Sequence, residues 1–261
     1  MHFCSLYSGS SGNSVFVSSK KAKILIDAGL PGKSIEQALC SIGQSPSEID
    51  AILVTHEHSD HTKGVGVLSR KYNIPIYTHA KTWESMICNI GKIKEENIKI
   101  FSDNCITIKD MDIISYDIPH DAACPKGYAV HHEGKKFCLA TDLGHFSPEV
   151  ECALKDADAI LLESNHDVEM LKFGPYPYPL KRRILSNIGH LSNEDCGKAL
   201  LKVLANSRKK IMLGHLSKTN NYPDLAYQTV LNILLENGIV LDKDVELFMA
   251  SRNMPSDYIE I

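Results

Sequence analysis

Short apolar runs alternate with amphipathic segments along the whole chain. Apolar runs bounded by Gly, Pro, Ser or Lys are typical of strands. They predict strands at 3–7, 15–18, 23–26, 51–55, 111–119, 128–132, 136–141, 159–162, 210–214 and 245–249. Apolar residues at helical spacing predict helices at 34–41, 62–71, 81–89, 193–205 and 223–236. This alternation indicates an α/β protein, and no internal repeat or low-complexity tract interrupts it.

The most informative stretch is His-Glu-His-Ser-Asp-His at residues 56–61, which follows the predicted strand 51–55. Residues two apart in an extended segment point the same way, so His56 and His58 can bind one ion. Asp60 and His61 follow where the chain must turn, and they can reach a second point nearby. Imidazoles clustered with a carboxylate suit zinc, or iron or manganese where more oxygen is supplied. The segment therefore predicts a metal site.

Three later strands end in residues of the same ligand types. The predicted strand 111–119 ends at His120, strand 136–141 at Asp142, and strand 210–214 at His215. In α/β sheets, sites form at the carboxyl ends of strands. One histidine in such a place is more often structural. Three ligand-type residues in this same context indicate that they complete the first cluster.

Composition and net charge limit the class of protein and the compartment that the sequence fits. With 261 residues, 43% of them hydrophobic, the chain can bury a substantial core. The net charge of −4 argues against a basic nucleic-acid-coating protein. It does not exclude a nuclease, because bound divalent cations would make the site locally positive. The eight cysteines form no C-x-x-C pair, and neither a secretory signal nor a membrane span is evident. We predict a cytoplasmic protein with reduced thiols and no membrane partner.

The H-x-H-x-D-H signature with its later His, Asp and His resembles the metallo-β-lactamase superfamily. Six further segments narrow the resemblance: SGSSGNS at 8–14, LIDAG at 25–29, TDLG at 141–144, ESNHD at 163–167, GHLSN at 189–193 and LGHLS at 213–217. Together they are similar to the YycJ/WalJ branch of bacterial proteins, whose members are described as DNA exonucleases. The resemblance runs from about Ser5 to about Arg252. It implies a single domain over residues 1–261, an αββα sandwich of two mixed β-sheets flanked by helices.

The resemblance also implies how the ligands divide between two divalent ions per chain. One ion would be held by His56, His58 and His120. The other would be held by Asp60, His61 and His215, and the carboxylate of Asp142 would bridge the two ions. Zinc is the first expectation, with manganese or iron as alternatives. The activity implied is hydrolysis of a DNA phosphodiester, 5′ to 3′, by a metal-bound hydroxide. Asp60 is also predicted to take part in catalysis.

His190 is predicted to act on the substrate and not as a metal ligand, because the seven ligands are complete without it. Gly189 would give the backbone freedom to turn, and Ser192 would cap a helix that begins near Asn193. A helix N-terminus beside an imidazole suits an anionic phosphate, and the ring could protonate the leaving alkoxide. The alternative is a histidine that only supports the helix cap.

Other polar side chains near these segments are candidates for substrate contacts: Ser11, Asn13, His166, Lys181, Arg182 and Ser192. The Gly-flanked loop at 8–14 could equally be a hairpin turn. The basic run at 181–183 could equally be the solvated face of a short helix. Asp27 is expected to orient a ligating imidazole from behind the metal ligands, or to be a turn aspartate.

Two other function classes compete with a nuclease. One is a metal-dependent hydrolase of a small-molecule ester, thioester, lactone or cyclic phosphodiester. The other is a redox protein or a non-catalytic interaction module. Redox relatives with a di-iron site usually replace the second histidine of the cluster with a carboxylate, so His58 argues against that class. The sequence leaves open the metal, DNA against RNA, exonuclease against endonuclease, and the oligomeric state.

Overall fold

Two mixed β-sheets pack face to face in the computed structural model, which describes residues 1–101, 103–204 and 208–261. The predicted αββα sandwich is confirmed. From edge to edge, the described strands of the first sheet are β14 (Ile259–Glu260), β1 (His2–Tyr7), β2 (Ser14–Ser18), β3 (Lys23–Ile26), β4 (Ala51–Leu53), β5 (Ile76–Thr78) and β6 (Ile98–Ile100). Those of the second sheet are β13 (Val245–Met249), β12 (Lys209–Gly214), β11 (Ala159–Glu163), β10 (Lys135–Ala140), β9 (Lys126–His132), β8 (Met111–Asp117) and β7 (Cys105–Ile108).

Helices cover the outer face of each sheet. The helices in the described residues are α1 (Gly32–Ser41), α2 (Ser59–Thr62), α3 (Val65–Tyr72), α4 (Ala80–Ile90), α5 (Pro148–Leu154), α6 (Val168–Phe173), α7 (Tyr178–Ile184), α8 (Asn193–Val203) and α9 (Pro223–Glu236), with 3-10 turns at Pro46–Glu48 and Glu95–Asn97. Ala205, the predicted end of α8, lies outside the described residues. Among these described helices, none combines the length and apolar character that a membrane span requires.

The core has three layers of buried side chains, as two sheets between two helical layers require. The central layer lies between the sheets, where the rings of Phe3 and Phe137 stack with centroids 4.5 Å apart. The fully buried Tyr128 of β9 donates its hydroxyl to the carbonyl of Val54 at 2.8 Å. This bond ties the second sheet to the first directly behind residues 56–61. The outer layers pack α1, α3 and α4 on one side, and α5, α8 and α9 on the other.

The helix predicted at 62–71 is interrupted. Its first turn, α2, starts earlier at Ser59, and α3 begins at Val65. The break is at Gly64, whose N–H donates to the carbonyl of Ala28 at 2.7 Å and so leaves the helical ladder. A Cβ at this position would overlap the carbonyl oxygen of Leu30. The short elements β5, β6, β7, β14, α5 and α6 were not predicted, because they have too few buried residues to show a period.

The sheets bring the carboxyl ends of several strands to one edge of the sandwich. β3 pairs in parallel with β4, and β10, β11 and β12 pair in parallel with one another. β8 runs in the same direction as β10, because each is antiparallel to β9 between them. Strands of both sheets therefore deliver the residues that follow them to a common place, as the sequence predicted.

Candidate metal centre

Three histidines converge at the mouth of the sandwich. His58 Nδ1 lies 3.1 Å from His56 Nε2 and 3.4 Å from His120 Nε2. These ring nitrogens, delivered by the ends of β4 and β8, lie within 4.8 Å of one another. Three imidazole nitrogens at this spacing can bind a single divalent ion.

A second group of donors lies beside the first. His61 Nε2 is 3.7 Å from Asp60 Oδ2 and 3.3 Å from Asp142 Oδ2, and His215 Nε2 is 3.5 Å from Asp142 Oδ1. Asp142 Oδ1 is also 3.7 Å from His120 Nε2, which belongs to the first group. The carboxylate of Asp142 thus lies between two donor groups. All seven residues predicted as ligands meet in one place.

Three residues around the centre adopt a left-handed backbone conformation. Asp27, Asp142 and His215 have φ angles of 61°, 61° and 56°. Asp27 and His215 directly follow β3 and β12, and Asp142 comes two residues after β10. Residues other than glycine adopt this conformation uncommonly, Asp and His more readily than most, and such strained positions recur at functional sites. Each strand therefore ends in a sharp turn that directs its last polar side chain into the centre.

Buried carboxylates hold the ligating histidines from behind. Asp27 Oδ2 is 2.8 Å from His61 Nδ1, and both oxygens of Asp27 accept hydrogen bonds from Thr55. Glu163 Oε1 is 2.6 Å from His215 Nδ1. An imidazole that donates its Nδ1 proton to a carboxylate presents Nε2 as an electron-pair donor. The contact between Asp27 and His61 supports the role expected of Asp27, which is to orient a ligating imidazole.

Glu163 is a site residue that the sequence analysis missed. It is fully buried at the end of β11, and its Oε2 accepts hydrogen bonds from the N–H groups of Leu143 and Leu191 at 2.6 and 3.1 Å. Its Oε1 lies 2.9 Å from His190 Nδ1. The signal was available, because a carboxylate that ends the apolar run 159–162 matches the context of Asp142 and His215.

The ionisable groups of the centre shift one another's pKa values. Burial would raise the pKa of Asp142, but the four surrounding histidines hold it well below its ordinary value. Burial would likewise lower the pKa of His61, but Asp142 and Asp27 raise it to about 10. Burial and the neighbouring His61 hold the pKa of His56 well below its ordinary value. A positive charge is therefore favoured beside Asp142, where carboxylates outweigh the cost of burial.

The donors fit a divalent metal by an independent observation. Asp142 Oδ2 and His215 Nε2 are buried, and neither has a hydrogen-bond partner in the described part of the chain. Buried polar atoms without partners cost free energy unless a ligand satisfies them. Both atoms point into the donor cluster, so a bound cation would satisfy them.

His190 lies at the edge of this cluster. Its Nδ1 is 3.8 Å from Asp142 Oδ1, and its ring centroid is 5.3 Å from that of His120. Burial would lower the pKa of His190, but the Glu163 carboxylate raises it to about 9. Gly189 was expected to give the backbone freedom to turn. That reason was wrong, because its φ is not positive. A Cβ there would overlap the carbonyl oxygen of Ile184 at the end of α7, so glycine allows a close approach of backbones.

The glycine-flanked loop does approach the centre. Asn13 Nδ2 is 3.1 Å from His61 Nε2, and the N–H of Asn13 donates to the carbonyl of Asp60 at 2.8 Å. Ser11 is exposed, and its hydroxyl accepts a hydrogen bond from Arg252 at 3.2 Å. The loop therefore supports the metal ligands through Asn13, while Ser11 lies on the rim.

Four other candidates are not brought to the centre. His166 is buried, and burial lowers its pKa to about 4. Ser192 caps α8, where its hydroxyl accepts from the N–H of Asp195, as predicted. Lys181 donates to a carbonyl of α6, and Arg182 lies over an exposed ring at the start of α7. The third residue of the basic run, Arg183, is the one that faces the site.

Gly29 offers a test of how closely the loops are packed. Its N–H donates to the carbonyl of Asn13, and a Cβ there would overlap the carbonyl oxygen of Asp60. We expect Gly29→Ala to displace the segment that carries Asp60 and His61, at a cost of roughly 1–3 kcal/mol. Metal content and the melting temperature should both fall. Gly43→Asn is the control, because Gly43 has open space around it, and a Gly29→Ala protein with full metal content would contradict the packing argument.

With the geometry described, the chain can be compared with known proteins. Residues 7–215 match the metallo-beta-lactamase superfamily. The chain is 44% identical over 259 residues to exodeoxyribonuclease WalJ of Streptococcus pneumoniae, covering 98% of this chain and 96% of that protein. It is 43% identical over 257 residues to exodeoxyribonuclease YycJ of Bacillus anthracis, covering 98% and 97%.

A solved structure supports the fold at lower sequence identity. Zn(2+)-bound PqqB from Methylobacterium extorquens superposes with a TM-score of 0.74 and 14% identity, covering 98% of this chain and 100% of that one. The predicted resemblance to the YycJ/WalJ branch is confirmed, because both curated relatives align along nearly their whole length. By family match, by relatives and by fold, this chain belongs to the metallo-beta-lactamase superfamily.

Proposed function

We propose that this protein is a metal-dependent exonuclease that hydrolyses DNA from the 5′ end with two divalent ions per chain. The observation that carries the proposal is Asp142, whose carboxylate lies within 4 Å of donors from both histidine groups. One buried carboxylate between two donor groups can be shared by two divalent ions. Zinc is the first expectation because five of the seven donors are imidazoles, and manganese or iron are the alternatives.

The residues around the donors have separate tasks. His56, His58 and His120 would hold one ion, and Asp60, His61 and His215 the other, with Asp142 shared. Divalent ions there would polarise a phosphoryl oxygen and supply a nucleophile at neutral pH. Asp27 and Glu163 fix the rings of His61 and His215, and Asn13 braces the loop that carries Asp60.

His190 would protonate the leaving oxygen. Glu163 holds its Nδ1 at 2.9 Å, so Nε2 is the nitrogen that would donate a proton to the substrate. A ring that is held by a carboxylate and lines a cavity beside the metal donors is suited to general acid catalysis. The metal donors are complete without His190, which supports a role on the substrate.

The names of the relatives support DNA as the substrate. Both curated relatives are called exodeoxyribonucleases, and both align over nearly their whole length. We propose the cytoplasm as the location, since the eight cysteines are free thiols and would suit a reducing compartment.

The test is hydrolysis of end-labelled nucleic acid by protein reconstituted with zinc, manganese or iron. Single- and double-stranded DNA should be offered with the label at either end, beside matched RNA. We expect a 5′ label to be released early as a mononucleotide and a 3′ label to be released last. Cleavage of none of these substrates with any of the three metals, together with rapid turnover of a thioester or lactone, would contradict the proposal.

Replacement of His190 tests its assigned role. We expect His190→Ala to keep both metals and the melting temperature, because no metal donor is removed. Turnover should fall by roughly 10²-fold or more, the scale of a lost general acid. His145→Ala is the matched control, since that histidine comes three residues after Asp142 and its Nδ1 lies 2.9 Å from the Asn187 carbonyl oxygen. Loss of metal in His190→Ala would make His190 a ligand, and unchanged turnover would leave it a structural residue.

A further inference from the structure

A cavity of about 150 Å³ opens directly beside His190. Its apolar wall is formed by Leu180 and Ile184 of α7, and Tyr176 completes that wall. Polar side chains complete the lining: Ser10, Asp121, Asn165, Arg183, His190 and Ser217. The metal ligands and the general acid described above do not account for a cavity with this aromatic and apolar wall.

The volume matches one flat ring system. A cavity of about 150 Å³ lined by apolar side chains can hold a benzene molecule. A pyrimidine ring is of comparable size, and an open mouth leaves room for the second ring of a purine. Apolar walls with one aromatic side chain are also what proteins use to bind bases without reading their sequence.

The position of Tyr176 is set by the chain on both sides. It lies between Pro175 and Pro177, directly before the start of α7. Proline fixes its own φ and restricts the residue before it to extended conformations. The ring of Tyr176 is therefore presented by a stiff segment, which reduces the entropy lost when a ligand stacks on it. This gives a role to the proline-rich stretch at 174–179.

An ion pair between Arg183 and Asp121 lies at the same cavity, and both residues line it. The Nε of Arg183 is paired with the carboxylate of Asp121. Asp121 in turn follows His120, so this pair connects the cavity wall to the metal donors. A guanidinium held in this way can bind a phosphate through its remaining N–H groups. The cavity therefore offers a surface for a base next to a group for its phosphate.

We propose that this cavity is a subsite for one nucleotide, which binds the base of the terminal nucleotide that departs on cleavage. The inference rests on the proposed function, because His190 protonates the leaving oxygen and the cavity adjoins His190. With cleavage from the 5′ end, the leaving oxygen is the 3′ oxygen of the 5′-terminal nucleotide. A cavity that admits one base would then limit each cleavage to one nucleotide, which is the property of an exonuclease.

Tyr176→Ala is the test, with Tyr178→Ala as the matched control because Tyr178 is largely exposed and does not line the cavity. Tyr176→Phe keeps the ring and should behave as the wild type. Each metal-loaded protein is assayed on DNA with a normal 5′-terminal nucleotide and on DNA whose 5′-terminal nucleotide is abasic. Calorimetric binding of thymidine 5′-monophosphate and of 2-deoxyribose 5-phosphate is measured in parallel.

We expect Tyr176→Ala to lower kcat/KM on normal DNA by about 5- to 150-fold, the range for loss of one base–aromatic stack, and to leave the abasic substrate unchanged. Thymidine 5′-monophosphate should bind more tightly than the sugar phosphate only when the ring is present. An equal effect on both DNA substrates, or the same loss in Tyr178→Ala, would overturn the subsite. If no protein cleaves DNA but the nucleotide still requires Tyr176 to bind, the subsite stands and the proposed function fails. If DNA is cleaved but neither kcat/KM nor ligand binding depends on the base, the proposed function stands and the subsite fails.

Discussion

Asp142→Ala should lose metal from both positions at once. Purified without chelator, the wild type should approach two equivalents of transition metal by elemental analysis, and the variant should fall below one. Asp142 lies 3.3 to 3.7 Å from donors of both groups, so its removal takes a ligand from each ion. Turnover of DNA should fall by at least about 10³-fold, because a lost metal removes several kcal/mol of transition-state stabilisation.

The control for this variant is Asp158→Ala. Asp158 lies directly before β11 of the second sheet, but it pairs with Lys135 at 2.9 Å on a partly exposed surface. Its replacement should leave metal content and turnover unchanged, since surface ion pairs contribute little to stability. An Asp142→Ala protein that retains two tight metals and full activity would remove the bridging assignment.

Glu163→Gln should impair two functions together. Oε1 of Glu163 lies 2.6 Å from His215 Nδ1 and 2.9 Å from His190 Nδ1, so one oxygen holds a metal ligand and the proposed general acid. An amide cannot accept from both rings with the strength of a carboxylate. We expect metal affinity to fall by about 10- to 100-fold and turnover at saturating metal by roughly 10²-fold. Metal titration and steady-state kinetics separate the two effects.

A double-variant cycle shows whether Glu163→Gln lowers turnover through His190. If Glu163 acts on turnover through His190, the Glu163→Gln change should cost little further turnover once His190 is already alanine. The loss of metal affinity should persist in the double variant, because it passes through His215. Fully additive losses of turnover at saturating metal would show that Glu163 acts by another route.

The sequence was most informative where local pattern and chemistry coincide. The strands that deliver ligands were predicted because each is a buried run that ends in His or Asp. The bounds 223–236 and 245–249 agree with α9 and β13, which begin at Pro223 and directly after Asp244. The division of the ligands into two sets was predicted from the family resemblance and not from the local pattern. The distances among His56, His58 and His120, and among Asp60, His61 and His215, agree with that division.

The residues that escaped prediction are those whose role depends on distant segments. Glu163 holds His190 and His215, which are 27 and 52 residues away in the chain. Arg183 pairs with Asp121 beside the metal donors, whereas Lys181 contacts α6 and Arg182 lies over the ring of Tyr178 within α7. A basic run of three residues cannot reveal which member points inward when the helix itself is too short to show a period.

The most direct test of the account is a metal titration of activity. Metal-free protein is mixed with zinc or manganese in steps of a fraction of an equivalent, and the release of mononucleotides from 5′-labelled DNA is measured at each step. The account predicts that activity rises until two equivalents per chain are bound and then stays constant, and that Asp142→Ala remains inactive throughout. Full activity at one equivalent, or no DNA cleavage at any ratio with either metal, would contradict a dinuclear nuclease.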